Sequence, residues 1–335
     1  MPSANGLSMT GGALVISLDF ELMWGVRDRL GVSEYGRNIL GARAAIPAML
    51  DLFAERGIAC TWATVGFLFC AGKDELMASL PAILPAYRLP GLSPYPALAG
   101  IGRNEKADPY HFGLSLLCQV QSAPLQEIAT HTFSHFYCLE EGGDVTAFRA
   151  DLVAAQRIAE RRGVRLASIV FPRNQVSRAH LGVCRELGLT AFRGRERVWY
   201  QRPRPTEAET PAVRALRLAD AYVPLGGAHA HCPTLSEGLV DVASSRFLRP
   251  ATAWGPFEWV RLARITSAME RAARRGGVFH LWWHPHNFGV DLDANIAFLT
   301  AILDHFRKLQ DRYGTRSLTM TEVAAEALRA HCAVQ

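Results

Sequence analysis

Two acidic side chains stand at the end of the first apolar run of the sequence. The run ALVISLDF is typical of a buried strand; it holds Asp19, and Glu21 follows two positions later. Residues two apart in an extended chain point to the same face, so both carboxylates can enter one cleft. Such a pair suits proton transfer or the binding of a cation. The alternative is an acid that only caps the next element.

A histidine pair follows a later apolar run. The segment HTFSH, from His131 to His135, comes directly after LQEIAT. If the chain turns into a helix there, both imidazoles lie on one face and can bind one ion. The chain has 11 histidines, so the same spacing also arises by chance, as at His280 and His284.

A third segment, HLWWHPHNF, combines histidines with aromatic residues. The run VFHLWWH is typical of a strand, which would place His280, Trp282 and His284 on one face. The alternative is an aromatic core strand whose histidines are satisfied internally.

Short apolar runs alternate with helical patterns along the chain. Strands are predicted over 13–20, 57–66, 125–131, 165–172, 238–245 and 277–284, and helices over 42–56, 148–162, 180–187, 258–275 and 294–309. This alternation implies parallel pairing, in an open sheet or a barrel. Such α/β folds place active sites at the carboxyl ends of their strands, where all three motifs fall. Two histidines and a carboxylate there suit a hydrolytic divalent metal.

Two segments interrupt the alternation. Residues 81–124 are rich in proline, glycine and tyrosine, and residues 201–211 form a polar connection that contains proline. Long insertions after a strand usually serve as lids or binding loops. We therefore expect a flexible leader over 1–12 and a single domain over 13–335 with two insertions.

Composition excludes several classes of protein. Hydrophobic residues make up 49% and charged residues 20%, as in ordinary globular domains. The net charge of +5 comes without a compact basic stripe, so no nucleic-acid partner is expected. Seven cysteines without a CxxC pair argue against a disulfide framework or a thiolate zinc site. The first dozen residues lack signal-peptide features and no stretch is long enough to span a membrane, so a cytoplasmic location is expected.

The order of these motifs resembles the NodB-homology polysaccharide deacetylases, carbohydrate esterase family four. That family has an acidic pair after its first strand, a histidine pair spaced by three residues, an arginine–proline loop and a late strand ending in histidine. EIATHTFSH is similar to its metal-binding run, and the resemblance extends over about 13–289. It implies an α/β fold with a distorted or incomplete (β/α) barrel.

The resemblance also implies roles for individual residues. Asp19 resembles the catalytic base, His131 and His135 the metal ligands, and His284 the general acid. The expected cofactor is a divalent metal, Zn²⁺ in the first place.

Two departures mark an outlying branch of that family. Phe20 follows Asp19 where the family has a second aspartate, so we expect Glu21 to supply the carboxylate ligand. The arginine–proline loop is rearranged to FPRNQ, in which Arg173 is predicted to orient Asp19.

The function implied is removal of an N-acetyl or other N-acyl group from an amino sugar, in a biosynthetic pathway for a glycan, lipopolysaccharide or exopolysaccharide. The predicted substrate-binding residues are Trp24, Asn174, Trp283 and His286, with Trp282 as a further stacking candidate, although core packing is the alternative for the tryptophans. A nucleotide sugar or lipid-linked oligosaccharide would suit the arginines at 193, 195, 197, 202 and 204, which are otherwise ordinary surface residues.

Two other functions remain open at this point. One is a C–N hydrolase of the same fold that acts on a non-sugar amide or imide, and the other is a catalytically silent carbohydrate-binding protein. The sequence leaves undecided the sugar, the metal and the oligomeric state.

Overall fold

The computed structural model describes residues 11–196, 198–202, 210–222, 230–251 and 258–334. Most of the predicted leader (residues 1–10) and most of the 201–211 connection (residues 203–209) lie outside the described residues. The strands are β1 Ala13–Phe20, β2 Cys60–Thr64, β3 Gln126–Thr130, β4 Ser168–Ile169, β5 Ala191–Phe192, β6 Thr234–Ser236, β7 Leu239–Asp241, β8 Arg246–Phe247, β9 Val278–Trp283 and β10 Arg316–Ser317. The α-helices are α1 Val32–Arg56, α2 Lys73–Ala78, α3 Leu114–Ser122, α4 Val145–Arg161, α5 Arg178–Glu186, α6 Pro211–Tyr222, α7 Glu258–Arg275, α8 Leu292–Tyr313 and α9 Met320–Val334.

The strands form one curled sheet. Their order is β6-β7-β5-β4-β3-β2-β1-β9-β8, with β10 added beside β1. The β6–β7 pair is antiparallel, and the other pairs of named strands in the described residues are parallel. The sheet curls into a half-barrel, which confirms the predicted distorted (β/α) barrel.

The two faces of β1 enter different cores. Leu14, Ile16 and Leu18 pack in the large core between the sheet and its helices. Ala13 and Val15 pack in a smaller core inside the half-barrel. Because alternate residues of a strand point to opposite faces, this register also turns Asp19 toward the interior.

Helix α9 packs against the inner core and was not predicted. Met320, Val323 and Ala327 of this helix belong to the apolar cluster inside the half-barrel. Glu127 on β3 anchors the helix, because its Oε2 atom accepts a hydrogen bond from the backbone N–H of Thr321 at 3.2 Å. A carboxylate at a helix N-terminus also interacts favourably with the helix dipole.

Other element bounds differ from the predictions. Helix α1 begins at Val32, ten residues before the predicted start at 42, and it contains Pro47. The backbone N–H of Gly31 donates to Glu34 at 2.8 Å, which satisfies an otherwise orphan group at this helix end. Segment 81–124, expected to be an irregular insertion, contains α3, and helix α6 was not expected.

No helix within the described ranges combines the length and the apolar character that crossing a bilayer requires.

Candidate metal and catalytic site

The first carboxylates reach the site through the end of β1. Asp19 faces the interior, Phe20 packs in the outer core, and Glu21 begins a turn whose next residue, Leu22, has a φ of +47°. Gly25 leaves room for the carboxylate of Glu21, because a Cβ atom at this position would lie 1.9 Å from its Cδ atom. Asp19 and Glu21 are each only 3% exposed, so the turn buries both acids in one place.

The HTFSH segment forms a turn and not the expected helix. Thr132 and His135 have φ values of +63° and +59°, in the left-handed region that residues other than glycine rarely adopt. Asp151 on α4 stabilises this turn by accepting hydrogen bonds from the backbone N–H groups of Phe133 at 2.6 Å and Ser134 at 3.2 Å. The two imidazoles therefore converge through loop geometry.

Glu21, His131 and His135, which could together bind a metal ion, meet at this turn; we call them the metal-ligand cluster. The Nε2 atom of His131 lies 3.3 Å from Oε2 of Glu21, and that of His135 lies 3.1 Å from the same oxygen. One ligand atom from each residue lies within 4.8 Å of the others. The Nδ1 atom of His131 donates to the carbonyl oxygen of Val170 at 2.8 Å, so its Nε2 atom is the ring nitrogen that could bind a metal ion. Two imidazoles and one carboxylate fit a divalent ion such as Zn²⁺.

The protonation states of these groups suit a cation. Burial raises the pKa of Glu21, but His284, His131 and His135 together hold that pKa well below its ordinary value. Burial lowers the pKa of His135 to about 4 despite the neighbouring carboxylate. At neutral pH the carboxylate is therefore ionised and this imidazole is neutral, as metal binding requires.

Behind His135 lies an outer group of polar residues. Its Nδ1 atom is 3.2 Å from the hydroxyl of Tyr137, and that hydroxyl is 3.3 Å from Oδ1 of Asp28. Arg173 forms an ion pair with Asp28, and its guanidinium lies 4.3 Å from the centre of the Tyr137 ring. The prediction that Arg173 orients Asp19 is wrong, because left-handed φ values at Arg173 and Asn174 (+54° and +52°) belong to a turn that directs the guanidinium toward Asp28.

Arg193 makes the contact that was expected of Arg173. Its Nη1 and Nη2 atoms bind Oδ1 and Oδ2 of Asp19 at 2.7 and 2.8 Å, and Nη2 also donates to Oδ1 of Asn174 at 3.2 Å. The sequence placed Arg193 among surface arginines, but it is 2% exposed. The signal that could have found it is its position directly after β5, at the same strand edge as the other motifs.

The paired arginine determines the charge of Asp19. Burial raises the pKa of this carboxyl, but the charge and hydrogen bonds of Arg193, helped by His131 and His284, bring it below its ordinary value. Asp19 is therefore ionised at neutral pH and can accept a proton.

His284 lies on the solvent-exposed side of the metal-ligand cluster, beside Asp19 and Glu21. Its Nε2 atom is 3.8 Å from Oδ2 of Asp19 and 3.5 Å from Oε1 of Glu21, and its side chain is 23% exposed. Its Nδ1 atom donates to Oδ1 of Asn287 at 3.1 Å, which directs Nε2 toward the acids. His286 stacks on it at 5.0 Å between ring centres, and burial lowers the pKa of His286 to about 3.

The predicted substrate-binding residues divide into exposed and buried ones. Trp24 and Trp283 are fully buried, so the prediction that they contact substrate is wrong. Trp24 donates to the carbonyl oxygen of His111 at 2.8 Å, and Trp283 stacks on Phe288. Asn174 is partly exposed beside Arg193, whereas His286 is buried behind His284.

Trp282 is the tryptophan of β9 that stays partly exposed. Its ring lies 4.1 Å from the guanidinium of Arg193 and 4.7 Å from the ring of Phe247, which is also partly exposed. Trp282 shares the inward face of β9 with His280 and His284, while Trp283 points into the outer core. The two partly exposed rings form an aromatic wall beside His284, since the centre of each ring lies 5.8 Å from the centre of the His284 ring.

Segment 81–124 packs against the turn that carries Glu21. The backbone N–H of Met23 donates to the carbonyl oxygen of Tyr110 at 3.1 Å, next to the contact between Trp24 and His111. The segment therefore supports the turn that carries Glu21.

No protein-family model and no curated protein sequence matches the chain. Among solved structures, one assigned as a polysaccharide deacetylase from Mycobacterium smegmatis matches with a TM-score of 0.56 at 14% identity, covering 98% of this chain and 95% of that one. Another with the same assignment, from Pseudomonas aeruginosa, has a TM-score of 0.55 at 12% identity, covering 96% and 92%. The chain has the polysaccharide deacetylase fold.

The same fold extends to a different kind of enzyme. A GH57-type branching enzyme from Pyrococcus horikoshii matches with a TM-score of 0.50 at 14% identity, covering 94% of this chain and 70% of that one. Identities this low establish the fold alone, so the chemistry has to be argued from the site.

Proposed function

We propose that this protein is a metal-dependent hydrolase that removes an N-acetyl or other N-acyl group from an amino sugar. The observation that carries the proposal is the arrangement of an ionised acid and a histidine around the metal-ligand cluster. The Oδ2 atom of Asp19 and the Nε2 atom of His284 lie 3.8 Å apart, next to the three donor groups. The shared fold is consistent with this chemistry.

The proposed mechanism uses Asp19 and His284 as base and acid. A divalent ion held by Glu21, His131 and His135 would supply Lewis acidity. Asp19 accepts a proton from the attacking water while Arg193 keeps its carboxylate fixed. Protonated His284 donates to the departing nitrogen. Water thus adds to the amide carbon, the C–N bond breaks, and a carboxylic acid and an amine are released.

The aromatic wall of Trp282 and Phe247 supports a sugar as the substrate. A partly exposed ring beside the reacting groups offers a stacking face for a pyranose. We propose that this wall, and not Trp24 or Trp283, contacts the sugar. A cytoplasmic nucleotide sugar or lipid-linked oligosaccharide remains the predicted substrate; of the five arginines that favoured it, Arg193 is engaged by Asp19, and residues 197 and 204 lie outside the described residues.

An acetate-release screen with the zinc-loaded enzyme and a panel of acetamido sugars tests the proposal. In an Asp19→Asn variant we expect kcat to fall by about 10² to 10⁴, because proton transfer is lost, while zinc stays bound. An Asp304→Asn variant is the matched control, since this aspartate is 52% exposed and pairs with Arg56 on the surface.

Three outcomes would oppose the proposal. Full activity of a zinc-bound Asp19→Asn enzyme would exclude the role of Asp19 as base. Turnover of cyclic ureides in place of acetamido sugars would favour the alternative amide or imide hydrolase. Sugar binding without zinc and without acetate release would favour a carbohydrate-binding protein.

A further inference from the structure

His280 is a buried histidine that the proposed mechanism does not use. It is 0% exposed inside the half-barrel. Its Nδ1 atom lies 2.9 Å from the carbonyl oxygen of Val242, and its Nε2 atom lies 2.8 Å from the hydroxyl of Ser17. A carbonyl oxygen can only accept, so Nδ1 carries a hydrogen. In the neutral ring, Nε2 is then an acceptor, and Ser17 donates to it.

The direction of this bond fixes the role of Ser17. Because its hydrogen is used toward His280, the hydroxyl presents a lone pair to Arg193, whose Nη1 atom donates to it at 3.0 Å. The same Nη1 atom binds Oδ1 of Asp19 at 2.7 Å. Burial, together with the charge of Arg193, lowers the pKa of His280 to about 3, which agrees with the neutral form.

The hydrogen bonds therefore run without interruption from Val242 to Asp19. All the side chains between them are buried, with Ser17 and His280 at 0% and Arg193 at 2% exposure. A guanidinium is planar, so an acceptor other than Asp19 on each terminal nitrogen, the Ser17 hydroxyl on Nη1 and the Asn174 amide oxygen on Nη2, restricts its orientation as well as its position. Asn174 binds Nη2 from the other side at 3.2 Å.

We propose that His280 and Ser17 are positioning residues that act through Arg193 to hold the carboxylate of Asp19 in its reactive orientation. The proposal rests on the function proposed above for Asp19. Neither Ser17 nor His280 contacts the metal-ligand cluster. Substituting either one should therefore affect proton transfer by Asp19 and not metal binding.

Two substitutions of His280 separate the two contacts of the imidazole. A glutamine amide reaches the place of Nε2 and an asparagine amide the place of Nδ1. His280→Gln therefore keeps an acceptor for Ser17, whereas His280→Asn keeps only the contact with Val242. Ser17→Ala removes the hydroxyl directly. Ser245→Ala is the matched control, because its buried hydroxyl accepts from the backbone N–H of His280 at 2.9 Å.

The first measurement needs no substrate. In arginine-labelled enzyme, the side-chain N–H signals of Arg193, assigned by their loss in Arg193→Lys, report how firmly the guanidinium is held. We expect slow-exchanging signals in wild type, His280→Gln and Ser245→Ala, and broadened or shifted signals in His280→Asn and Ser17→Ala. Unchanged Arg193 signals in Ser17→Ala overturn the proposal, even if His280→Asn fails to fold.

The second measurement is steady-state acetate release. We expect kcat to fall about 10- to 100-fold in Ser17→Ala and His280→Asn, with KM and zinc affinity within about twofold of wild type, because misplacement by about 1 Å has effects of this size. His280→Gln should restore most of kcat. Wild-type kcat in Ser17→Ala overturns the positioning role and leaves the proposed function intact. Changed Arg193 signals in a protein that releases no acetate from any acetamido sugar overturn the proposed function and, with it, the catalytic purpose of the positioning.

Discussion

The chain contains two histidine pairs with identical spacing, and the fold uses them in opposite ways. His131 and His135 lie on a turn and point both Nε2 atoms at one oxygen of Glu21, at 3.3 and 3.1 Å. His280 lies on β9 and His284 directly after it, and the two side chains contact different parts of the molecule. His280 binds Ser17 inside the half-barrel, whereas His284 lies at the open edge beside Asp19.

The difference shows that the backbone between two histidines decides what the pair can bind. Left-handed φ values at Thr132 and His135 fold the first segment back on itself, so both imidazoles reach one oxygen of Glu21. In the second segment the extended backbone separates successive same-face residues by nearly 7 Å, about twice the rise per residue. Residues four apart on a strand are separated by twice that distance, so their side chains cannot bind one ion in this way.

The largest expected effect separates the two members of the second pair. His284→Gln should lower kcat by about 10² to 10⁴, because the proposed proton donor to the leaving nitrogen is lost. Zinc affinity should change little, and His280→Gln should retain most of the activity. Equal losses of kcat in the two variants, measured by acetate release, would contradict this division of roles.

The second effect separates the two pairs. His135→Ala should weaken zinc binding by more than about 100-fold, since even outer partners of metal-binding histidines contribute about 10- to 100-fold. His280→Gln should leave zinc affinity within about twofold. Competition with a chromophoric chelator measures both, and wild-type affinity in His135→Ala would remove the first pair from the metal site.

A smaller effect tests what holds the first pair in place. Tyr137→Phe should weaken zinc binding by about 10-fold, at the low end of the range for outer partners, because the Nδ1 atom of His135 loses its contact with the hydroxyl. Tyr313→Phe is the control, since its hydroxyl donates to Glu270 at 3.1 Å, away from the site. The same chelator assay applies, and indistinguishable affinities of the two variants would show that Tyr137 does not support His135.

A separate effect, on the free energy of unfolding and not on activity or zinc affinity, concerns stability against acid. The folded protein lowers the pKa of His280 from 6.5 to about 3, so between these pH values the unfolded chain binds a proton that the folded chain does not. The stability is therefore unaffected by this group above pH 6.5, and the free energy of unfolding decreases as the pH drops from 6.5 toward the folded value of about 3. Urea unfolding at several pH values gives the free energy of unfolding as a function of pH, and its slope below pH 6.5 should be shallower in His280→Gln than in wild type. Parallel slopes would mean that His280 is not the group responsible.

The elements that carry the chemistry could be predicted from local pattern. The two-residue spacing predicted that Asp19 and Glu21 enter one cleft, and the apolar runs predicted the strands that end at the site. The convergence of His131 and His135 was predicted on the wrong backbone, because a helix was assumed where Asp151 and two left-handed residues form a turn. Spacing alone does not distinguish these conformations.

Other features depend on contacts that local pattern does not contain. Trp24 and Trp283 carry aromatic rings suited to a sugar, but both pack in the core, as large apolar side chains most often do. Helix α9 follows the short strand β10. Its apolar face packs against the inner core, and this contact is evident only in the tertiary structure.

The sequence by itself determined that the carboxylates of Asp19 and Glu21 can enter one cleft, that two histidines follow another strand end, and that parallel strands bring those ends to one edge. These follow from the two-residue period of a strand and from the pairing of strands with helices. Only the tertiary structure decided which arginine binds Asp19. Strands β5 and β1 are four places apart in the sheet order, so Arg193 reaches Asp19 across the interior only because the sheet curls. Curvature depends on the twist and packing of the whole sheet, and no short stretch of sequence encodes it.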